Sequence, residues 1–183
     1  MGERMTRAAR RAATAQRILE AARAEFGERG LEGATIRAIA ERAGVDPSLV
    51  LQHYGSKDDL FALAIQLPAD TPNDDVLAHL VDVLAVRLGA PPAETTALVR
   101  SMLTAPEATA AMKAFLDERV ENLARTSRAT DAELRAALTV CGLLGITIAR
   151  HFLRLDALAE VTEAEADRVI LPWLAAPLSG GEE

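Results

Sequence analysis

Thr35-Ile36-Arg37-Ala38-Ile39-Ala40-Glu41-Arg42-Ala43-Gly44-Val45-Asp46-Pro47-Ser48-Leu49-Val50-Leu51-Gln52-His53-Tyr54-Gly55-Ser56-Lys57 is the stretch that decides the fold. Ile36, Ile39, Ala40 and Ala43 recur at helical spacing and define one inward face. Thr35 is a good N-cap for that helix, with Ala38 where a capping-box acid would stand. Gly44 stops the helix and tolerates the positive φ of a sharp helix-to-helix turn. A second short helix opens at Asp46-Pro47, with Asp as cap and Pro at the first helical position, where no amide hydrogen is missed. It ends near Tyr54-Gly55. Val45 fits the angle between the two helices, and the small Ala40 lets them cross closely. These are the physical ingredients of a helix-turn-helix, whose second helix can enter a major groove with its N-terminal residues at base edges. The same geometry also occurs in proteins that bind no nucleic acid.

Working outward, the spacing predicts a preceding helix over 14–29. Ile18, Ala22 and Phe26 line its inner face beside Leu19, and Gly30 stops it. After the central stretch, Ser56 caps a fourth helix that carries Asp58 and Asp59 in its positive first turn. Leu60, Phe61, Ala64 and Ile65 face inward there. The segment 67–73, with Pro68 and Pro72, marks a boundary between modules at 1–67 and 68–183. Further helices are expected at about 74–88, 92–104, 107–126, 131–155 and 163–176. Pro91-Pro92, Pro106, Thr130-Asp131 and Thr162-Glu163 punctuate them, and Pro172 predicts a kink in the last. Aromatic residues are 3% of the chain, and β-branched residues nowhere alternate with polar ones over a strand length. The fold class is therefore all-α.

The 183 residues are half hydrophobic, enough for a substantial core. The longest uncharged run, 136–149, is 14 residues, short of the roughly 20 that a spanning helix needs, so no membrane partner is expected. The N-terminal arginines precede no apolar stretch of the kind a secretion signal has. Cys141 stands alone inside the apolar run; a buried lone thiol fits a reducing compartment, and a cytoplasmic location is expected. Net charge is -7, but it is unevenly spread. Residues 1–67 hold 10 basic and 9 acidic side chains, while 68–183 hold 10 and 18. The first 17 residues carry five arginines (Arg4, Arg7, Arg10, Arg11, Arg17) against Glu3. Phosphate contact needs positive charge at the docking face, not on the whole molecule. An enzyme is not expected. His53, His79 and His151 lack metal-ligand spacing, Cys141 lies in a poor place for a thiolate, and no glycine-rich phosphate loop appears. No cofactor or metal is expected either.

Residues 14–66 resemble the DNA-binding domain of the TetR (TetR/AcrR) family of bacterial regulators. The resemblance is carried by Ile18-Leu19-Glu20-Ala21-Ala22, Phe26, Gly30, Thr35-Ile36-Arg37-Ala38-Ile39-Ala40, Ala43-Gly44-Val45, His53-Tyr54-Gly55-Ser56-Lys57 and Leu60-Phe61. It implies about nine helices: an N-terminal three-helix helix-turn-helix domain with a basic arm over 1–67, and a helical ligand-binding and dimerisation domain over 68–183. It implies a transcriptional regulator, a repressor released from double-stranded operator DNA by a small-molecule effector. By position, Thr35 would bond a phosphate at a helix N-terminus as well as capping it. Arg37 would reach a guanine, or else lie solvated on the surface. Pro47, Ser48 and Leu49 would face bases, Gln52 and His53 the groove edge, and Lys57 a phosphate; His53 is alternatively a packing residue. Leu51 departs from the family's frequent tyrosine and cannot donate that phosphate bond. Tyr54 replaces a frequent phenylalanine; its ring is expected inward and its hydroxyl at the rim.

The helix over 131–155 is apolar on nearly every side, the pattern of a helix buried all round. Gly142 and Gly145 allow close backbone approach, and the run 142–159 resembles the dimerising half of one subgroup of the family. A homodimer is implied, with a four-helix interface formed by this helix and 163–176 from each subunit, Trp173 near it. Two-fold symmetry would then set two recognition helices about one DNA turn apart. For the effector, Leu98, Met102, Met112, Phe115, Leu116 and Cys141 are candidate lining residues of a cavity, with His79 or Arg119 as polar contacts; for any one of them ordinary core packing is the stronger reading. The alternative reading is an all-helical interaction module of the same fold that has lost DNA binding or ligand response, favoured by Leu51 and the acidic charge.

Overall fold

The computed structural model describes residues 6–68 and 75–179. Arg4 of the basic arm, most of the expected boundary segment (69–73) and the terminal Gly180-Gly181-Glu182-Glu183 lie outside the described residues. Ten helices and no strand occur among the described residues. They are α1 (Arg7–Gly33), α2 (Ile36–Ala43), α3 (Pro47–Tyr54), α4 (Lys57–Ala64), α5 (Val76–Leu88), α6 (Ala93–Ser101), α7 (Pro106–Ala124), α8 (Ala132–His151), α9 (Asp156–Ala159) and a composite α10 over 163–179.

The chain forms two compact units. The first unit takes residues up to Leu67 together with Pro92–Met112; the second takes Pro68–Pro91 and Lys113 onward. Thus α6 packs on α1 rather than with the helices that follow it. Ala97, Leu98 and Val99 of α6 are buried there. Arg100 Nε donates to the Gly27 carbonyl at 2.6 Å, and the Leu31 amide donates to Ser101 Oγ at 3.2 Å. Gly27 makes the close approach possible: a Cβ on it would stand 3.4 Å from the Thr96 methyl.

Within the first unit, Ile18, Ala22 and Phe26 of α1 face Ile39 and Ala40 of α2, Val50 of α3 and Leu60, Phe61 and Ala64 of α4, all buried. Phe26 and Phe61 meet edge to face with centroids 5.0 Å apart. Glu25 is 2% exposed, and Arg29 stands 3.1 Å and Arg42 3.5 Å from its carboxyl oxygens. Arg42 also reaches Glu28 at 2.7 Å, so one guanidinium of α2 holds two carboxylates of α1.

Helix α1 begins two turns earlier than residue 14. Thr6 accepts a bond from the Ala9 amide and caps it, and the alanine–arginine run that follows needs no apolar stripe to be helical. Gly30 breaks α1 as expected, with φ +70 and ψ 177, and a short turn to Gly33 follows.

The second unit is built on Leu84 of α5 and Ala166, Ile170 and Leu174 of α10, with Leu88, Leu143 and Ile146 packed around them. Thr139 of α8 donates to the Leu174 carbonyl at 2.9 Å, and Arg150 Nε to the Leu88 carbonyl at 3.0 Å. The break expected at Pro172 is taken up one turn earlier. Residues Ala166–Ile170 form a π-helical turn in which the Leu171 amide reaches back to the Ala166 carbonyl. Helix α8 ends at His151, short of residue 155, and Arg154 has φ +53 in the turn beyond it.

Two expectations for α8 are corrected. In the single chain one side is covered, with Ala136, Thr139, Val140 and Thr147 buried, while Leu134, Leu138, Cys141 and Gly145 look outward. Cys141 is accordingly an exposed thiol. In addition, α8 is 20 residues long and apolar enough, by length and composition, to pass as a membrane span. The charged ends Arg135 and Arg150, which limited the uncharged run, instead make bonds within the unit, to Pro177 and Leu88 carbonyls.

Candidate nucleic-acid interface

Helices α2 and α3 are fixed by local chemistry at each end. Thr35 Oγ1 accepts from the Ala38 amide at 3.1 Å. At the turn, Gly44 is left-handed (φ 65, ψ 43). The Val45 amide bonds the Ala40 carbonyl and the Gly44 amide the Glu41 carbonyl, which is the Schellman pairing. One carboxyl oxygen of Asp46 then accepts from both the Ser48 amide (2.8 Å) and the Ser48 hydroxyl (2.6 Å). These two bonds hold the Asp46 carboxyl below its ordinary range. The next junction has Gly55 at φ 81 and a full capping box between Ser56 and Asp59, so that Asp59 does more than add charge to the first turn.

The result is a short helix with one bare side. Pro47, Ser48, Leu51 and Gln52 are exposed, and Val50 opposite them is buried. Leu49 and His53 lie beside that face, partly covered. With its hydroxyl proton given to Asp46, Ser48 presents acceptor lone pairs outward. Leu51, 44% exposed, has no hydroxyl donor but places an apolar tip in the centre of the open face. Its spacing from Pro47 and Ser48 was the available signal. Arg37 is exposed on α2 and makes no hydrogen bond or ion pair among the described residues. Thr35 is exposed as well.

Lys57 is bonded within the chain. Its ammonium donates to the Leu31 carbonyl at 3.0 Å and the Ala34 carbonyl at 3.3 Å, tying the start of α4 to the α1–α2 junction. Tyr54 is partly buried, and its hydroxyl donates to the Ala15 carbonyl of α1 at 2.6 Å. The C-terminal end of α3 is thereby fastened to α1.

The residues expected around an effector are divided between the units. Leu98, 1% exposed, and Met112 are buried in the first, and Met102 follows α6 there. His79, Phe115, Leu116, Arg119 and Cys141 belong to the second. There the Arg119 guanidinium lies 3.3 Å over the Phe115 ring and donates to the carbonyls of Phe115 (2.9 Å) and Pro68 (3.2 Å).

Two family models match the chain, one on each side of residues 65–73. The model of bacterial regulatory proteins of the tetR family matches residues 18–64, and that of the tetracyclin repressor-like C-terminal domain matches residues 74–178. The chain belongs to the TetR family. Among curated relatives of this TetR-family chain is the HTH-type transcriptional repressor SCO4008 of Streptomyces coelicolor, 44% identical over 71 residues, which are 34% of this chain and 36% of that protein. The chain thus matches about a third of that relative's length. Among solved structures, a TetR-like transcriptional regulator from Rhodococcus sp. RHA1 superposes with TM-score 0.68 at 23% identity, over 97% of this chain and all of that one (100%). The SmeT–triclosan complex does so with TM-score 0.60 at 17% identity, over 90% of each chain. Both similarities establish the fold.

Proposed function

We propose that this TetR-family chain is a homodimeric transcriptional repressor that reads operator DNA through the open face of α3 and leaves it when a small molecule binds. The observation that carries the reading is the capped, outward side of α3, with Pro47, Ser48, Leu51 and Gln52 free of the chain's own packing. A helix presented this way fits the major groove, Ser48 offering acceptors to base amino groups and Leu51 an apolar contact for thymine methyls. Arg37 supplies forked donors matched to guanine, and Thr35 a phosphate contact at the start of α2. Leu49 and His53 flank the groove walls. Lys57 keeps one ammonium hydrogen beyond its two carbonyls, enough for a phosphate. The repressor direction follows the name of the relative SCO4008.

Dimerisation is assigned to α8 and α10. Leu134 (63% exposed), Leu138 (56%), Cys141 and Gly145 form one row, and Val169 and Trp173 (60%) another beside it. Gly142 joins the rows: a Cβ there would come within 2.9 Å of Trp173 and Leu174. A continuous apolar surface of this kind calls for a partner. Effector binding is assigned to the second unit, to Phe115, Leu116, His79 and Arg119, an aromatic and cationic set suited to a flat or anionic molecule. The binding of triclosan by SmeT supports a small organic effector for this fold. The DNA assignment is tested by selecting duplexes from a random-sequence pool with the full chain. A recovered near-palindrome bound with steep salt dependence is expected; recovery of no sequence above background would end the reading.

A further inference from the structure

We propose that the first two turns of α1 are a separate DNA-contact surface, a helical row of guanidiniums that lies on phosphates flanking the bases read by α3. The proposal rests on the DNA-binding reading above and adds a site to it. Residues 7–13 are exposed, and the first buried position of α1 is Ile18. The overhang is about 10 Å at 1.5 Å per residue. It carries Arg7, Arg10 and Arg11, with Arg17 at its base, and no acidic residue occurs from Arg4 to Leu19. Among the described residues none of these guanidiniums makes a hydrogen bond or ion pair. Unpaired charge of one sign, on a helix that packs against nothing, contributes little to the fold.

Direction follows from spacing. Arg7 and Arg11 continue the row of Ile18, Ala22 and Glu25, so they project from the side of α1 that α2, α3 and α4 cover further along. Place follows from Tyr54, whose hydroxyl bonds the Ala15 carbonyl one turn beyond Arg11. The overhang therefore starts where α3 ends and runs past it on the same side. A duplex carries one phosphate per about 1.7 Å of its axis with both strands counted, so a cluster of guanidiniums beside α3 meets dense negative charge. Alanine and arginine both favour the helix, so the row stands ready without an ordering cost on binding. A membrane surface is a poorer occupant, because these turns carry alanines but no large apolar side chain to bury in lipid.

The test uses the full chain and a duplex selected by it, in a long form with about ten extra base pairs on each side and in a form trimmed to the selected core. Three substitutions, Arg7→Gln, Arg10→Gln and Arg11→Gln, keep helix propensity and remove charge. On the long duplex, the slope of log affinity against log salt is expected to fall by up to about 2.7 per protomer, and affinity by at least about tenfold at physiological salt. On the trimmed duplex the change is expected to be below about twofold, with unaltered helix content by circular dichroism. An unchanged slope on the long duplex, or equal loss on both duplexes, overturns the proposal while leaving the DNA-binding reading intact. Failure of the unmodified chain to select any duplex overturns both.

Discussion

Lys57 and Arg37 show how residues of like charge in one motif part company once their surroundings are known. Lys57 is occupied within the chain: its ammonium bridges the Leu31 and Ala34 carbonyls, which otherwise lose a donor at the α1–α2 junction. Lys57→Met keeps the stem and removes both bonds. Charge-assisted bonds contribute about 1.5–3 kcal/mol when well buried, and partial exposure of this one brings the expected loss to about 1–2 kcal/mol. A lowered urea midpoint with unchanged slope is the expected result; an unchanged midpoint with weaker DNA binding would make Lys57 a phosphate contact alone. Arg37 is the converse. It is exposed and unbonded among the described residues, so Arg37→Ala is expected to leave the midpoint within about 0.5 kcal/mol. Affinity for a selected duplex should fall by about 1–3 kcal/mol, with preference lost at a single base pair. A uniform loss across all sequences would instead make Arg37 a backbone contact.

At the scale of elements, α3 is held by its caps, and one of them titrates. The folded pKa of Asp46 lies below its ordinary value because the Ser48 hydroxyl and amide bond the charged form. Its contribution is therefore complete above the unfolded carboxylate pKa near 3.9 and is lost as pH falls through the lower folded value. Asp46→Asn still offers an oxygen but does not titrate. The melting-temperature advantage of the unmodified chain over the variant is thus expected to shrink between pH 7 and pH 3, and a constant gap would remove charge from the account of this cap. Gly44→Ala tests the preceding turn: a methyl there meets nothing within 4 Å, so the expected loss of about 1 kcal/mol is the cost of φ +65 alone. These caps were legible in the sequence because capping is decided within four residues. The same locality explains what was not legible. The start of α1 has no apolar periodicity to announce it, only Thr6 and helix-favouring residues. The bonds of Lys57 and of Tyr54 span 23 to 39 positions. Whether α6 buries its face on α1 or elsewhere depends on Gly27 and Thr96 meeting, which no spacing in either helix reveals. Cys141 read as buried because its neighbours in sequence are apolar, although Leu134, Leu138 and Gly145 share its outward side.

For the whole molecule, the question is whether DNA affinity depends on pairing through α8 and α10. Two half-site contacts on one duplex act as linked binding events, and loss of the link costs roughly 10²–10⁴ in overall affinity without altering either contact. Leu138 tests this cleanly, since its side chain is more than half exposed in the single chain and lies in the row with Leu134 and Cys141. Leu138→Glu is expected to leave helix content and the single-chain core unchanged, because no buried contact is removed. In a two-fold interface it would place two carboxylates in apolar surroundings, one from each subunit, with no cation supplied by the row. Sedimentation velocity is expected to show two chains for the unmodified protein and one for the variant at the same micromolar concentration. Affinity for a palindromic duplex should fall at least about 100-fold, while affinity for a single half-site stays within about twofold. A variant that sediments as one chain yet keeps full affinity for the palindrome would separate recognition from pairing. A variant that remains a pair would move the interface away from α8. The half-site comparison makes the outcome specific, because a general loss of α3 geometry would weaken both duplexes alike.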